Sequence, residues 1–156
     1  MEYQDDTELE YAGFWSRVGA TIIDTVLMAI VIVPLLIAIY GTSYWHSQSM
    51  IAGPADFILS YLVPAAFSIV LWILVSATPG KMAIGAVIVD ARTGGKPSSA
   101  QFIVRYLGYF VSMLPLFLGC LWVGFDRRKQ GWHDKLAGTV VVRRRRGARR
   151  PVHFEP

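Results

Sequence analysis

Charge is scarce in this sequence, and what charge there is sits in a few places. Only 17% of the 156 residues are Asp, Glu, Lys or Arg, against 54% hydrophobic, whereas a soluble domain carries about a quarter charged residues. A single cysteine, Cys120, excludes an intramolecular disulfide and gives no sign of an oxidising compartment. It lies in an apolar run, where a buried thiol acts as a small hydrophobe. Gly80-Lys81 is not a phosphate-binding loop, because position 75 is Val and Met82 stands where Ser or Thr is needed. No Gly-x-Ser-x-Gly occurs, no nucleophile pairs with a base, and His46, His133 and His153 lack metal-ligand spacing. The chain is therefore expected not to be an enzyme, and to carry neither cofactor nor metal.

What is present comes in blocks. The mean hydropathy is +0.44, and the apolar residues form long runs of the kind that cross bilayers. The first run covers 14–40, long enough to cross a ~30 Å hydrocarbon core. Pro34 should kink it and free the carbonyl of Ile30. Tyr40, Tyr44 and Trp45 follow as an interfacial aromatic belt. The acidic start and the length of this run point to a retained helix rather than a cleaved signal. The second run, 57–77, fits one crossing and contains Pro64. The third, 102–125, is divided by Pro115 into halves too short to span alone. It reads either as a re-entrant hairpin or as a third span. Outside the runs, 87–89 and, much later, 139–142 are β-branched and favour strands that pair at the membrane surface. Ser98 with Gln101 fits a capping box. The fold expected is thus an all-α polytopic membrane protein: two transmembrane helices, a third Pro-broken segment and a small two-stranded surface element.

The bases are distributed unevenly. The first ten residues hold five acids and no base, and ten of the fifteen bases lie from Asp126 onward. The loop 41–56 has no Lys or Arg, whereas 78–101 has Lys81, Arg92 and Lys96. The positive-inside rule then puts the N-terminus in the cytoplasm and favours the hairpin, which keeps the basic C-terminus there too. Arg143, Arg144, Arg145 and Arg146 are expected at anionic lipid headgroups rather than on nucleic acid.

Arg17 and Asp24 stand in the first apolar run, seven residues apart and on one helix face, with Thr21 between them. Asp24 falls about 10 Å deeper than Arg17. A carboxylate there costs several kcal/mol unless paired, hydrated or protonated. The three residues form either a proton or cation site or a structural ion pair that fixes helix register. Arg105 is expected to snorkel to the interface, or else to pair with Asp24, Asp126 or Asp134.

The segment from Phe14 to Asp24, the loop Thr78-Pro79-Gly80-Lys81-Met82-Ala83-Ile84-Gly85, and the stretch from His133 to Val142 together resemble the RDD family of bacterial membrane proteins. That family is named for one arginine and two aspartates. The resemblance covers about 11–143, preceded by an acidic leader at 1–10 and followed by a basic tail at 144–156. It implies that Arg17, Asp24 and Asp134 are the name residues, and it implies transport only loosely. Two functions are therefore expected. One is a transport protein of the bacterial inner membrane, proton- or cation-coupled through Asp24 with Arg17 and working as a homo-oligomer. The other is an accessory subunit or assembly factor of a larger membrane complex.

Overall fold

The computed structural model describes residues 9–144 and Phe154. Strand β1 (Leu9–Tyr11) leads into helix α1 (Phe14–Tyr40). A 3-10 turn, Thr42–His46, precedes helix α2 (Pro54–Val75), which starts three residues earlier than the apolar run. A short helix α3 (Pro79–Ala83), strand β2 (Ala86–Asp90), helix α4 (Ser99–Met113) and helix α5 (Leu118–Gly124) follow. Helix α6 (Trp132–Ala137) and strand β3 (Thr139–Arg144) complete the described chain.

α1 and α2 are long and apolar enough to cross a membrane, with mean hydropathies of 2.8 and 2.3. Only 11% and 6% of their most apolar windows are buried inside the monomer. Ile22, Val26 and Ile30 on α1, and Val70 and Leu74 on α2, face outward. A helix that is apolar on its outer face needs lipid or another helix there. Pro34 lies inside α1, and the helix continues through it. Before Pro64, by contrast, Ile58–Leu62 widens into a π turn, a local adjustment that re-satisfies backbone groups near a proline. α2 ends where Ser76 adopts a left-handed conformation, φ 58°, and the Ser76 carbonyl accepts from the Ile88 amide at 2.7 Å.

The β-branched runs pair as expected, antiparallel, with Val87 opposite Val142 and Val89 opposite Val140. The sheet has a third strand, however. β1 joins the free edge of β3, with Leu9 opposite Arg144 and Tyr11 opposite Val142, giving the order β1-β3-β2. One face packs Ile88 and Val141 on Ala12, Trp72 and Phe102. The other holds Val140 and Val142 with Ala91, Leu9, Tyr11 and Phe154.

This sheet decides the third segment. Strands that share hydrogen bonds lie on one side of the bilayer, so the chain crosses an even number of times between them. α1 and α2 supply two crossings between β1 and β2. Between β2 and β3, α4 and α5 are bent by 112° at 114–117, where Leu116 and Phe117 are left-handed and Pro115 has no amide proton. α4 has 15 residues, about 22 Å at 1.5 Å per residue, short of a crossing. The two ends of the segment therefore lie together on the sheet side. The capping box at its start is present: Ser98 Oγ accepts from the Gln101 amide at 3.2 Å, and Gln101 Oε1 accepts from the Ser98 amide at 2.8 Å.

Sidedness follows. In a Cys120→Ala background, Arg92→Cys and Arg144→Cys should be labelled by an impermeant maleimide from one side of the membrane. Gln48→Cys should be labelled from the other. Labelling of the first two from opposite sides is incompatible with the β2–β3 pairing. Cys120 itself is half-buried rather than enclosed.

Candidate functional site

Arg17 stands in the first turn of α1 and reaches sideways, not deeper. Its Nε donates to the Ala12 carbonyl at 3.1 Å, Nη1 to Asp134 Oδ2 at 2.5 Å and Nη2 to the Lys129 carbonyl at 2.5 Å. Asp24, two turns deeper, accepts from Thr78 Oγ1 at 2.5 Å and from the Gly80 amide at 2.7 Å. The expected Arg17–Asp24 pair is therefore not formed. Spacing of seven gives a shared face but leaves about 10 Å of height between the two groups, and a different loop meets each of them. Thr21 is exposed on the span and joins neither group.

Arg105 corrects a second expectation. It does not snorkel: it is 0% exposed. Its Nη1 donates to Asp134 Oδ1 and, at 2.9 Å, to Thr139 Oγ1. The guanidinium lies over the rings of Trp72 and Tyr109, 5.5 and 5.7 Å from their centroids. Asp134 is also fully buried. It therefore bridges two guanidiniums, and its Oδ2 also accepts from the Gly131 amide at 3.0 Å, the N-terminal turn of α6. Asp126 pairs with Lys135 at 2.6 Å and leaves Arg105 alone.

Close backbone approach makes this packing feasible. A Cβ on Gly108 would lie 2.8 Å from the His133 Cα, so α4 and α6 touch there. Next to that contact, His133 stacks on Tyr109 at 4.1 Å and its Nδ1 lies 3.2 Å from Ser112 Oγ. Burial, with Arg105, Arg17 and Lys81 nearby, drives the His133 imidazole far below its ordinary value, so it is neutral.

Sequence reasoning missed Lys81, Thr78, Trp72 and Tyr109 as members of the site. Lys81 reads as an ordinary loop base after a span, yet it is 8% exposed, with Nζ 5.9 Å from the Trp72 ring and 3.4 Å from Thr78 Oγ1. Nothing in its local spacing marks it, and only the contact of α3 with α1 does. Three cations (Arg17, Lys81, Arg105) thus gather round two carboxylates (Asp24, Asp134), one positive charge in excess. Arg143, expected at lipid, is turned inward instead: its Nε pairs with the buried Glu10 at 2.6 Å and Nη1 donates to Ser16 at 2.9 Å. Arg144 is exposed. Arg145 and Arg146 lie outside the described residues. Among the described residues no three His, Cys, Asp or Glu side chains gather as a metal site would require.

Two apolar spans, a sheet on one side of the bilayer, and a buried charge cluster between them define a multi-pass membrane protein. The RDD family model matches residues 11–138, and the chain belongs to the RDD family. It is 34% identical over 87 residues to the uncharacterized protein RP437 of Rickettsia prowazekii, covering 56% of this chain and 48% of that one. The match thus spans about half the length of that relative. It is 26% identical over 149 residues to the uncharacterized protein YxaI of Bacillus subtilis, covering 84% of this chain and 96% of that one. No solved structure matches.

Proposed function

We propose that this protein moves protons or a small cation across the bacterial inner membrane, with Asp24 as the binding group. The observation that carries the reading is the environment of Asp24. It is a carboxylate within a span of mean hydropathy 2.8, with no Lys, Arg or His in ion-pair contact among the described residues. Hydrogen bonds from Thr78 and Gly80 hold it in place. Those two bonds leave lone pairs on the carboxylate for a cation. Arg17 is committed to Asp134. Its part is to anchor α1, and holding Asp24 falls to the α3 loop.

The bases support a cytoplasmic N-terminus and sheet. Lys81, Arg92 and Lys96 lie on the sheet side, and the loop between α1 and α2 has none. Arg144, with Arg145 and Arg146, then meets anionic headgroups of the inner leaflet, each contributing about 1 kcal/mol. The protein is not an enzyme and needs no cofactor in this reading. Two largely uncovered spans cannot enclose a path alone, so the working unit is a homo-oligomer.

The same uncovered spans also suit an accessory subunit whose helices dock on a larger complex. Gentle-detergent purification separates the two: a lone homo-oligomer favours transport, and a stable hetero-complex favours the accessory role. In proteoliposomes, Asp24→Asn should abolish proton and cation flux even well below its melting midpoint. Unchanged flux in that variant removes Asp24 from the mechanism.

A further inference from the structure

Lys81 is enclosed, yet among the described residues its ammonium makes no ion pair with a carboxylate. An isolated buried charge of this kind is costly, and such groups lose their proton readily. Its hydrogen-bond partner is Thr78 Oγ1, at 3.4 Å. The direction of that bond is fixed by chemistry. An ammonium only donates and a carboxylate only accepts. The single Thr78 proton therefore goes to Asp24 Oδ2 at 2.5 Å, and a lone pair of Oγ1 faces Lys81. The three groups form a directed chain, ammonium to hydroxyl to carboxylate, and the Gly80 amide pins the other Asp24 oxygen.

We propose that Lys81 is the proton carrier of the Asp24 site, exchanging one proton with that carboxylate through the Thr78 hydroxyl. The inference rests on the reading of Asp24 as the binding group and deepens it. In the step, an N–H bond breaks at Lys81 Nζ and an O–H bond forms on Thr78 Oγ1. The O–H bond that pointed at Asp24 breaks, and one forms on Asp24 Oδ2. One proton has moved, leaving a neutral amine and a neutral acid. The reverse step restores both charges.

The charge balance of the cluster gives the exchange a purpose. Three cations and two carboxylates already leave one positive charge in excess. A cation arriving at Asp24 would double that excess beside buried charges. Exchange of the cation for the proton that Lys81 has handed to Asp24 keeps it at one. The groups that bear on Lys81 come from several neighbouring elements: Arg17 and Asp24 on α1, the Trp72 ring on α2, Arg105 and Tyr109 on α4, and His133 on α6. Burial is the largest influence and pushes the Lys81 ammonium below the ordinary lysine range. Arg105 and Arg17 add to it, while Tyr109 and Asp24 oppose it.

The chain has four lysines, Lys81, Lys96, Lys129 and Lys135, which makes the test direct. Full-length protein carrying [6-13C]lysine is titrated by NMR in detergent, and Lys81 is assigned by replacing Lys96, Lys129 and Lys135 with Arg in turn. The expected Lys81 midpoint lies below the ordinary lysine range. It should fall further when sodium or potassium chloride replaces choline chloride, because a cation at Asp24 repels the ammonium. In Asp24→Asn the midpoint should also fall, through loss of the opposing charge, and the salt effect should vanish. In vesicles, Thr78→Ser should keep proton flux and Thr78→Val should lose it. A Lys81 midpoint that responds to Asp24→Asn but not to the cation supports the proton exchange and removes the cation from the account of Asp24. A Lys81 that titrates with Lys96 in every variant overturns the proposal, whatever Asp24 does in the flux assay.

Discussion

Asp134→Asn is expected to destabilise the protein more than any other single charge removal, by about 3–5 kcal/mol. The reason is the sharing of one carboxylate. Asp134 accepts from Arg17 through Oδ2 and from Arg105 through Oδ1, and it is wholly buried. Asparagine keeps the shape but removes the charge, so two guanidiniums face each other without a counterion. Its amide NH2 also points a donor at one of them. A marginal protein has about 5–15 kcal/mol in all, so the loss is a large share. The two partners should respond in a linked way. Arg17→Gln alone should cost less than Asp134→Asn, because Arg105 still balances Asp134. The double variant should cost less than the two single losses combined, since it leaves one unpaired cation in place of two. Intrinsic tryptophan fluorescence during thermal melting in detergent reads this directly. A midpoint for Asp134→Asn equal to that of wild type would mean that the carboxylate is not the keystone of α1, α4 and α6.

The cluster also shows what a linear sequence can and cannot convey. The two spans were legible because length and hydropathy alone set them. Pairing of 87–89 with 139–142 was legible because β-branched runs seek a ladder. The capping box was legible because it is local, with Ser98 and Gln101 three residues apart. β1 was not legible: Leu9–Tyr11 offers three residues with an acid between two apolar ones, too short a pattern to stand out inside an acidic leader. Its Glu10 is buried against Arg143, which a sequence read only by charge assigns to the solvent.

The site divided along the same line. Periodicity placed Arg17 and Asp24 on one face of α1 correctly, but a shared face says nothing about which loop will meet each residue. Snorkelling was set ahead of pairing for Arg105 because the sequence alone does not say which of Asp24, Asp126 or Asp134 comes within its reach. In the fold it has Asp134, Thr139, Tyr109 and the Trp72 ring. Lys81 was the harder case. A base after a span ordinarily satisfies the positive-inside rule from the surface, and its burial depends on how far α3 sinks against α1.

That depth is set by Gly80, and Gly80→Ala is expected to be the second most damaging change. A Cβ at residue 80 would lie 1.9 Å from the Ala20 carbonyl oxygen, 2.8 Å from its carbon and 3.0 Å from Asp24 Cγ. The obstructing atoms are backbone of a 27-residue helix, so they cannot turn aside as a side chain would. No substitution at residue 20 relieves the clash, since every residue keeps that carbonyl. α3 must therefore lift away, which breaks the Gly80 amide bond to Asp24 and misaligns the Thr78 hydroxyl. Overpacking costs about 1–3 kcal/mol, and losing a hydrogen bond to a charged group costs a further ~1.5–3 kcal/mol. Gly19→Ala is the matched control. It lies on the same helix with nothing within 4 Å of its Cβ, and alanine is favoured over glycine in a helix by up to about 1 kcal/mol. The expected result is a lowered midpoint for Gly80→Ala, with flux lost even well below that midpoint, beside a Gly19→Ala variant at least as stable as wild type. Equal midpoints for the two would mean that α3 does not seat its backbone on α1, and the Asp24 site would lose the loop that holds it.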